Sequence, residues 1–181
     1  MKKFEDLINT YKDFPKKGID FKDVLGILQE PEVFYELIMR MCSSQIIKNS
    51  EAIISIDARG FIFGSAVSFQ SSKPMIVARK PGKLPGELVT QNYNLEYGEN
   101  SLSIQKNSLS KYDNFVIIDD LLATGGTVGC VANLLSQNDK NVKGLVTVIE
   151  LCELDGRSKF DFPVESIIKL HSSFRKIFKK V

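Results

Sequence analysis

Short runs of β-branched residues alternate with longer, periodically apolar runs along this chain. Ala52-Ile53-Ile54-Ser55-Ile56 lies between the charged Glu51 and Asp57, and a short apolar run with charged borders predicts a buried strand. Gly60 to Ser71 turns helical, with Phe61, Gly64, Ser65 and Ser68 marking a small-residue face. Pro74 to Ala78 predicts a second strand and Phe115 to Ile118 a third, the latter followed by a Gly-containing turn and a helix from about Thr127 to Gln137. Val142 to Leu151 and Val164 to Leu170 complete the series of strands. Strands alternating with helices predict an α/β fold, a mostly parallel twisted sheet flanked by helices.

Two segments break the rhythm. Residues 31–48 open with Pro31, a residue suited to the first turn of a helix, and Val33, Phe34, Leu37, Ile38 and Met41 fall on one stripe. A helix packed on the sheet is expected there. Arg79 to Ile104 is punctuated by Pro81, Gly82, Pro85 and Gly86, after which Tyr93–Tyr97 and Ser101–Ile104 can pair as a hairpin across Gly98. A polar insertion of this kind in an α/β domain reads as a lid over a site.

Composition narrows the class. At 181 residues and 43% hydrophobic, the chain is long enough for one domain with its own core. No repeat, linker or shift of composition divides it. Lysine and arginine number 24 against 22 acids, a net charge of +2, too small to suggest a nucleic-acid or membrane partner by electrostatics. No apolar run reaches the length of a membrane span, and Met1-Lys2-Lys3-Phe4-Glu5-Asp6 lacks the apolar stretch of a secretory signal. Cys42, Cys130 and Cys152 are odd in number and far apart, which fits neither a disulfide framework nor a zinc site. A cytoplasmic protein is expected. His171 has no partner pattern around it, and Cys42 and Cys130 are expected to be buried thiols on helices.

The chemistry concentrates after the third strand, in Val116-Ile117-Ile118-Asp119-Asp120-Leu121-Leu122-Ala123-Thr124-Gly125-Gly126-Thr127. In open α/β sheets, ligands sit beyond the carboxyl ends of the strands. The small residues Ala123 to Thr127 let an anion approach backbone N–H groups, the following helix adds a partial positive charge, and Thr124 and Thr127 offer hydroxyls. This is a monophosphate cradle. It is neither a Walker A loop nor a dinucleotide fingerprint, because the Lys-Ser/Thr and GxGxxG patterns are absent. Asp119 and Asp120 suit the vicinal hydroxyls of a ribose whose phosphate falls in the turn.

The segment from Val116 to Thr127 resembles the phosphoribosyl-pyrophosphate signature of the type I phosphoribosyltransferases, in the form found in their adenine branch. Three further stretches resemble that branch: Phe14 to Asp23, Asp57 to Gly64, and Arg79 to Gly86 continuing through Leu95 to Gly98. The resemblance spans about residues 10–155. It implies an N-terminal hood at about 1–35 and a flexible lid at about 79–104 within the single domain expected over residues 1–181, whose tail at about 172–181 extends beyond the matched region. It implies transfer of phosphoribosyl from 5-phosphoribosyl 1-pyrophosphate to adenine, giving AMP and pyrophosphate, with Mg2+ held by substrate and water instead of by protein side chains.

By the same resemblance, Asp119 and Asp120 hold the ribose hydroxyls, while Ala123, Thr124, Gly125, Gly126 and Thr127 hold the 5′-phosphate. Ala58 and Arg59 lie in a loop that meets the pyrophosphate and carries an unusual cis peptide at Asp57–Ala58, with Arg59 offering a fork to phosphate oxygens or to the purine. Arg79, Lys80 and Lys83 form a cationic loop for the leaving group and imply a homodimer by reaching a neighbouring subunit. Glu96, beside Tyr97, is the implied proton-transfer group at the purine. Gly18 to Lys22 is the implied adenine-reading segment, with Asp20 where the family carries an apolar residue and Lys22 where Arg is common. The tail carries Arg175, Lys176, Lys179 and Lys180 around Phe174, Ile177 and Phe178 and reads as an amphipathic helix on the body or a partner subunit. Two rivals remain: transfer to hypoxanthine or guanine, and a non-catalytic sensor of purines or phosphoribosyl pyrophosphate.

Overall fold

A computed structural model describes residues 3–95 and 98–171. A two-stranded antiparallel pair, β1 (Asn9–Tyr11) and β2 (Phe21–Asp23), forms the N-terminal hood. Helix α1 (Pro31–Ser43) follows, then α2 (Gln45–Lys48), β3 (Ala52–Ile56), α3 (Gly60–Ser71) and β4 (Met75–Ala78). A hairpin of β5 (Leu88–Leu95) and β6 (Gly98–Gln105) leads through α4 (Lys106–Leu109) to β7 (Asn114–Leu122). Helix α5 (Gly126–Ser136), β8 (Asn141–Leu151) and β9 (Val164–Leu170) complete the described chain. The central sheet has five strands in the order β4-β3-β7-β8-β9, every neighbouring pair parallel.

Alternation along the strands supplies two cores. Ile53 of β3, with Val116 and Ile118 of β7, faces Leu37, Phe63 and Val67 from α1 and α3. Ile54, Ile56, Phe115 and Ile117 face the other way, toward Val128, Val131 and Leu134 of α5. Burial on both faces explains why the strands read as continuous apolar runs.

The structure refines three boundaries. The expected helix over 31–48 divides at Ser44, whose backbone leaves helical geometry and whose Oγ accepts from the Ile46 N–H at 3.2 Å to start α2. The third strand continues past Ile118 to Leu122, so Asp119 and Asp120 lie within a strand and not beyond its end. Its last residues keep pairing with β8, Leu122 opposite Glu150. The hairpin is longer than the sequence pattern suggests, and its base is built into the core. Leu102 and Ile104 are buried among α5 and β7 residues, and Arg79 and Ser103 exchange backbone hydrogen bonds at 3.0 and 2.7 Å.

Candidate active site

The carboxyl ends of β3 and β7 open into a cavity of about 390 Å3, lined by Ile56 to Arg59 and by Asp119 to Val128. The two expected loops therefore meet in one place. The peptide bond between Asp57 and Ala58 is cis, at the position the resemblance implies.

Asp119 and Asp120 are both buried, at 9% and 5% exposure. The Asp120 N–H donates to Asp119 Oδ1 at 2.9 Å, and the Thr147 hydroxyl donates to the Asp119 carbonyl at 3.1 Å. These bonds fix the backbone from which both acids project. Burial pushes the Asp119 carboxyl well above the usual carboxylate range, and the neighbouring Asp120 charge pushes it further. Asp120 is also raised by burial, although the Arg59 guanidinium opposes the shift. Arg59 Nε lies 2.7 Å from Asp120 Oδ2, but the N–H is not directed along that line, and this buried oxygen receives no hydrogen bond. The ion pair compensates the charge but leaves a hydrogen-bonding position that a ligand hydroxyl can fill.

Beyond the acids, the chain turns through Ala123 and Thr124 to Gly125, which takes φ +78° as the residue before α5. That conformation favours glycine. The first N–H groups of α5 have no acceptor within the helix, and they border the cavity with the Thr124 and Thr127 side chains. The turn thus sets donors without helical partners beside the cavity, at the positive end of an 11-residue helix.

Arg59 lines the cavity, and Arg79 lies behind it, joined to the lining residue Asp57. The Arg59 guanidinium lies 4.7 Å from the centre of the Phe21 ring, linking the hood to the acid pair, and Phe14 meets Phe21 edge-on at 5.3 Å. Arg79 Nε donates to Asp57 Oδ2 at 2.9 Å and its guanidinium lies 5.7 Å from the Phe61 ring. Of the other expected residues, Lys80 and Lys83 are exposed on the connection before β5. Lys22 Nζ donates to Thr10 Oγ1 at 2.9 Å across the hood pair, and Asp20 is half-buried just before β2. Glu96 and Tyr97 lie outside the described residues, as does the tail from 172 onward. Phe21, Asp57 and Phe61 carry contacts that sequence reasoning did not assign. Each sits inside a matched stretch, but no pattern announces that an aromatic ring or an acid will underlie an arginine.

The donor set bears on a metal. Among the described residues, no three Asp, Glu, His or Cys side chains converge as a ligand cage. Asp57 is engaged by Arg79, and Asp120 retains one unbonded oxygen. Such a site fits Mg2+ that keeps water and substrate oxygens as its ligands.

No protein-family model matches the chain. An adenine phosphoribosyltransferase from Prochlorococcus marinus subsp. pastoris is 70% identical over 169 residues, covering 93% of this chain and 99% of that relative. The crystal structure of adenine phosphoribosyltransferase from Thermoanaerobacter pseudethanolicus superposes with a TM-score of 0.85 at 37% identity, covering 92% of this chain and 98% of the other. The Saccharomyces cerevisiae enzyme, crystallised with adenine and an imino-altritol bisphosphate, gives a TM-score of 0.82 at 33% identity over 91% of this chain and 96% of that one.

Proposed function

We propose a reaction geometry for this chain, which belongs to the adenine phosphoribosyltransferase family. The enzyme transfers phosphoribosyl from 5-phosphoribosyl 1-pyrophosphate to adenine, giving AMP and pyrophosphate. The observation that carries the assignment of roles is the buried acid pair set beside a backbone-lined turn in one cavity.

The turn at 123–127 takes the 5′-phosphate. Asp120 and Asp119 accept the ribose 2′- and 3′-hydroxyls, and the Asp120 Oδ2 that receives no hydrogen bond supplies the first acceptor. As the bond from C1′ to pyrophosphate breaks, positive charge grows on the sugar ring. Anionic acids held beneath the ring favour that charge, and because they are already oriented they need not reorganise during the reaction. A bound ribose hydroxyl donates to the anionic form of these acids, and so stabilises the charge that burial opposes. Ala58, Arg59 and Arg79 face the departing pyrophosphate, with Lys80 and Lys83 approaching from the connection above. Asp57 holds Arg79 in its place. Asp119 and Asp120 would face a Mg2+ ion bound with the substrate, and that ion would supply charge neutralisation to the leaving group.

Adenine enters beneath the hood, beside the segment containing Asp20 and Lys22, and Glu96 manages the proton as N9 bonds to C1′. The lid at 79–104 excludes water from C1′. The proposal includes a homodimer, in keeping with apolar side chains exposed on α1 and α3: Tyr35 at 62%, Met39 at 38% and Phe69 at 87%. A cytoplasmic setting accords with three unpaired cysteines. Nucleic acid and membrane have no part in the proposal.

The test is AMP formation from adenine, phosphoribosyl pyrophosphate and Mg2+, with hypoxanthine and guanine in competition. Preferential turnover of adenine is expected. Preference for either oxopurine, or ligand binding without turnover, would overturn the reading in favour of one of its rivals.

A further inference from the structure

The anion turn does not stand alone. A second segment, the 3-10 turn Gly156–Lys159, lies against its outer side. A Cβ on Gly156 would fall on the Ala123 carbonyl oxygen, 2.9 Å from the Gly125 nitrogen and 3.0 Å from the Thr124 carbonyl carbon. A Cβ on Gly125 would in turn meet the Gly156 carbonyl oxygen and the Phe160 ring, each at 2.9 Å. The two backbones are in direct contact with no side chain between them. Phe160 closes the floor and stacks on Phe162 at 4.9 Å.

This supporting segment is pinned. Arg157 Nε and Nη2 donate to the two carboxylate oxygens of Glu150 at 2.9 and 2.5 Å, Nη1 donates to the Val164 carbonyl, and Nη2 reaches Ser166 Oγ at 3.1 Å. Ser166 Oγ donates to Glu150 Oε2 at 2.5 Å. A planar fork joined to a buried carboxylate and to β9 has little freedom to move. If Gly156 gained a side chain, the pinned segment would hold and the phosphate turn would have to give way.

We propose that Gly156 and Arg157 are positioning residues for the 5′-phosphate: Gly156 sets how deeply the turn sits, and Arg157 holds the segment that sets it. The inference rests on the reading of residues 123–127 as the phosphate site. Neither residue touches substrate. Their effect appears in binding of the ribose phosphate, and pyrophosphate, which the proposed reaction places at Arg59 and Arg79, is left alone.

The experiment compares wild type, Gly156→Ala and Arg157→Lys as full chains with Mg2+. Calorimetry measures ribose 5-phosphate and pyrophosphate binding, steady-state kinetics separates kcat from KM, and thermal unfolding is followed alongside. Gly156→Ala is expected to weaken ribose 5-phosphate roughly tenfold to a hundredfold, since a displacement of about 1 Å carries penalties of that order. KM for phosphoribosyl pyrophosphate rises in step, and pyrophosphate binding stays within about twofold, the scatter expected where no contact changes. Arg157→Lys keeps the charge but loses the fork, and about three- to tenfold weakening of ribose 5-phosphate is expected. It serves as the deciding variant should Gly156→Ala fail to fold. Unchanged ribose 5-phosphate binding in the folded variants, or equal weakening of both ligands, overturns the inference. Wild type that binds no ribose 5-phosphate overturns the phosphate reading itself.

Discussion

Asp120 and Glu150 stand near the carboxyl ends of neighbouring parallel strands, each 5% exposed and each beside an arginine. They are nonetheless opposites. Glu150 has both oxygens bonded by the Arg157 fork and one also by Ser166, and these partners hold its carboxyl below the usual range. Asp120 meets Arg59 off the hydrogen-bonding direction, keeps an orphan oxygen, and is raised by burial. A satisfied buried acid is part of the scaffold. An unsatisfied one persists where a ligand completes it. Burial alone does not separate the two, and neither does the presence of an arginine. The separation lies in whether the acceptors are filled.

The sharpest way to break this contrast is to neutralise each acid in turn. Asp120→Asn is expected to lower kcat/KM by about a hundred- to a thousandfold, the range seen when one preorganised charge contact is removed. Glu150→Gln is expected to keep kcat within about threefold because it meets no reacting atom, while KM for phosphoribosyl pyrophosphate rises through the loosened Arg157. Equal losses of kcat in both variants would erase the distinction.

Stability should run the other way. Glu150→Gln is expected to cost about 1–3 kcal/mol in urea unfolding near neutral pH, as a charged hydrogen-bond network loses its anion. Because the folded-state pKa of Glu150 is lowered, that contribution is complete above its unfolded value of about 4.3 and fades as pH falls through the folded value. The wild-type and Glu150→Gln stabilities therefore converge in acid. Asp119 has the opposite sign. Its folded-state pKa is raised, so stability falls as pH rises above the unfolded value of about 3.9, and the penalty on the ligand-free fold is complete above the folded value. Asp119→Asn is expected to unfold at higher temperature than wild type in neutral solution while losing activity. The gain should vanish below about pH 4, where the wild-type acid is protonated in both states. A destabilised Asp119→Asn at neutral pH would contradict the assignment of Asp119 as an acid held charged for a ligand.

The smallest expected effect concerns the hood. Phe21→Leu removes the ring beneath Arg59, a contact worth roughly 0.5–1 kcal/mol. A two- to fivefold rise in the KM for adenine, with stability nearly unchanged, is the expected result in steady-state kinetics.

Much of this architecture was legible from pattern. The buried strands announced themselves because both faces of a parallel sheet demand apolar side chains, as in Ile53, Ile54, Val116 and Ile117. The anion turn was legible because small residues and Gly125-Gly126 follow an acid pair. The end of β7 was misplaced for a physical reason. Two carboxylates look like a solvated terminus, but here they continue in register with β8 because the site buries them. The break at Ser44 was hidden because the apolar stripe runs on through Ile46 and Ile47. The support under the turn was invisible. Gly156 lies 31 positions beyond Gly125, and nothing local to Asp155-Gly156-Arg157 reveals which backbone it will meet. Tertiary contact, not propensity, decides such a position.

Helix α5 begins at the anion turn, but its flank does something else. Cys130, 2% exposed, donates from Sγ to the Gln91 carbonyl of β5 at 3.3 Å, and its thiol is pushed up to about 11 by burial. An alkylating reagent can reach that sulfur only after the hairpin leaves the helix, and even then finds little thiolate at neutral pH. Labelling of Cys130 is therefore expected to be slow and to report hairpin detachment, read by mass spectrometry without adding any probe to the protein.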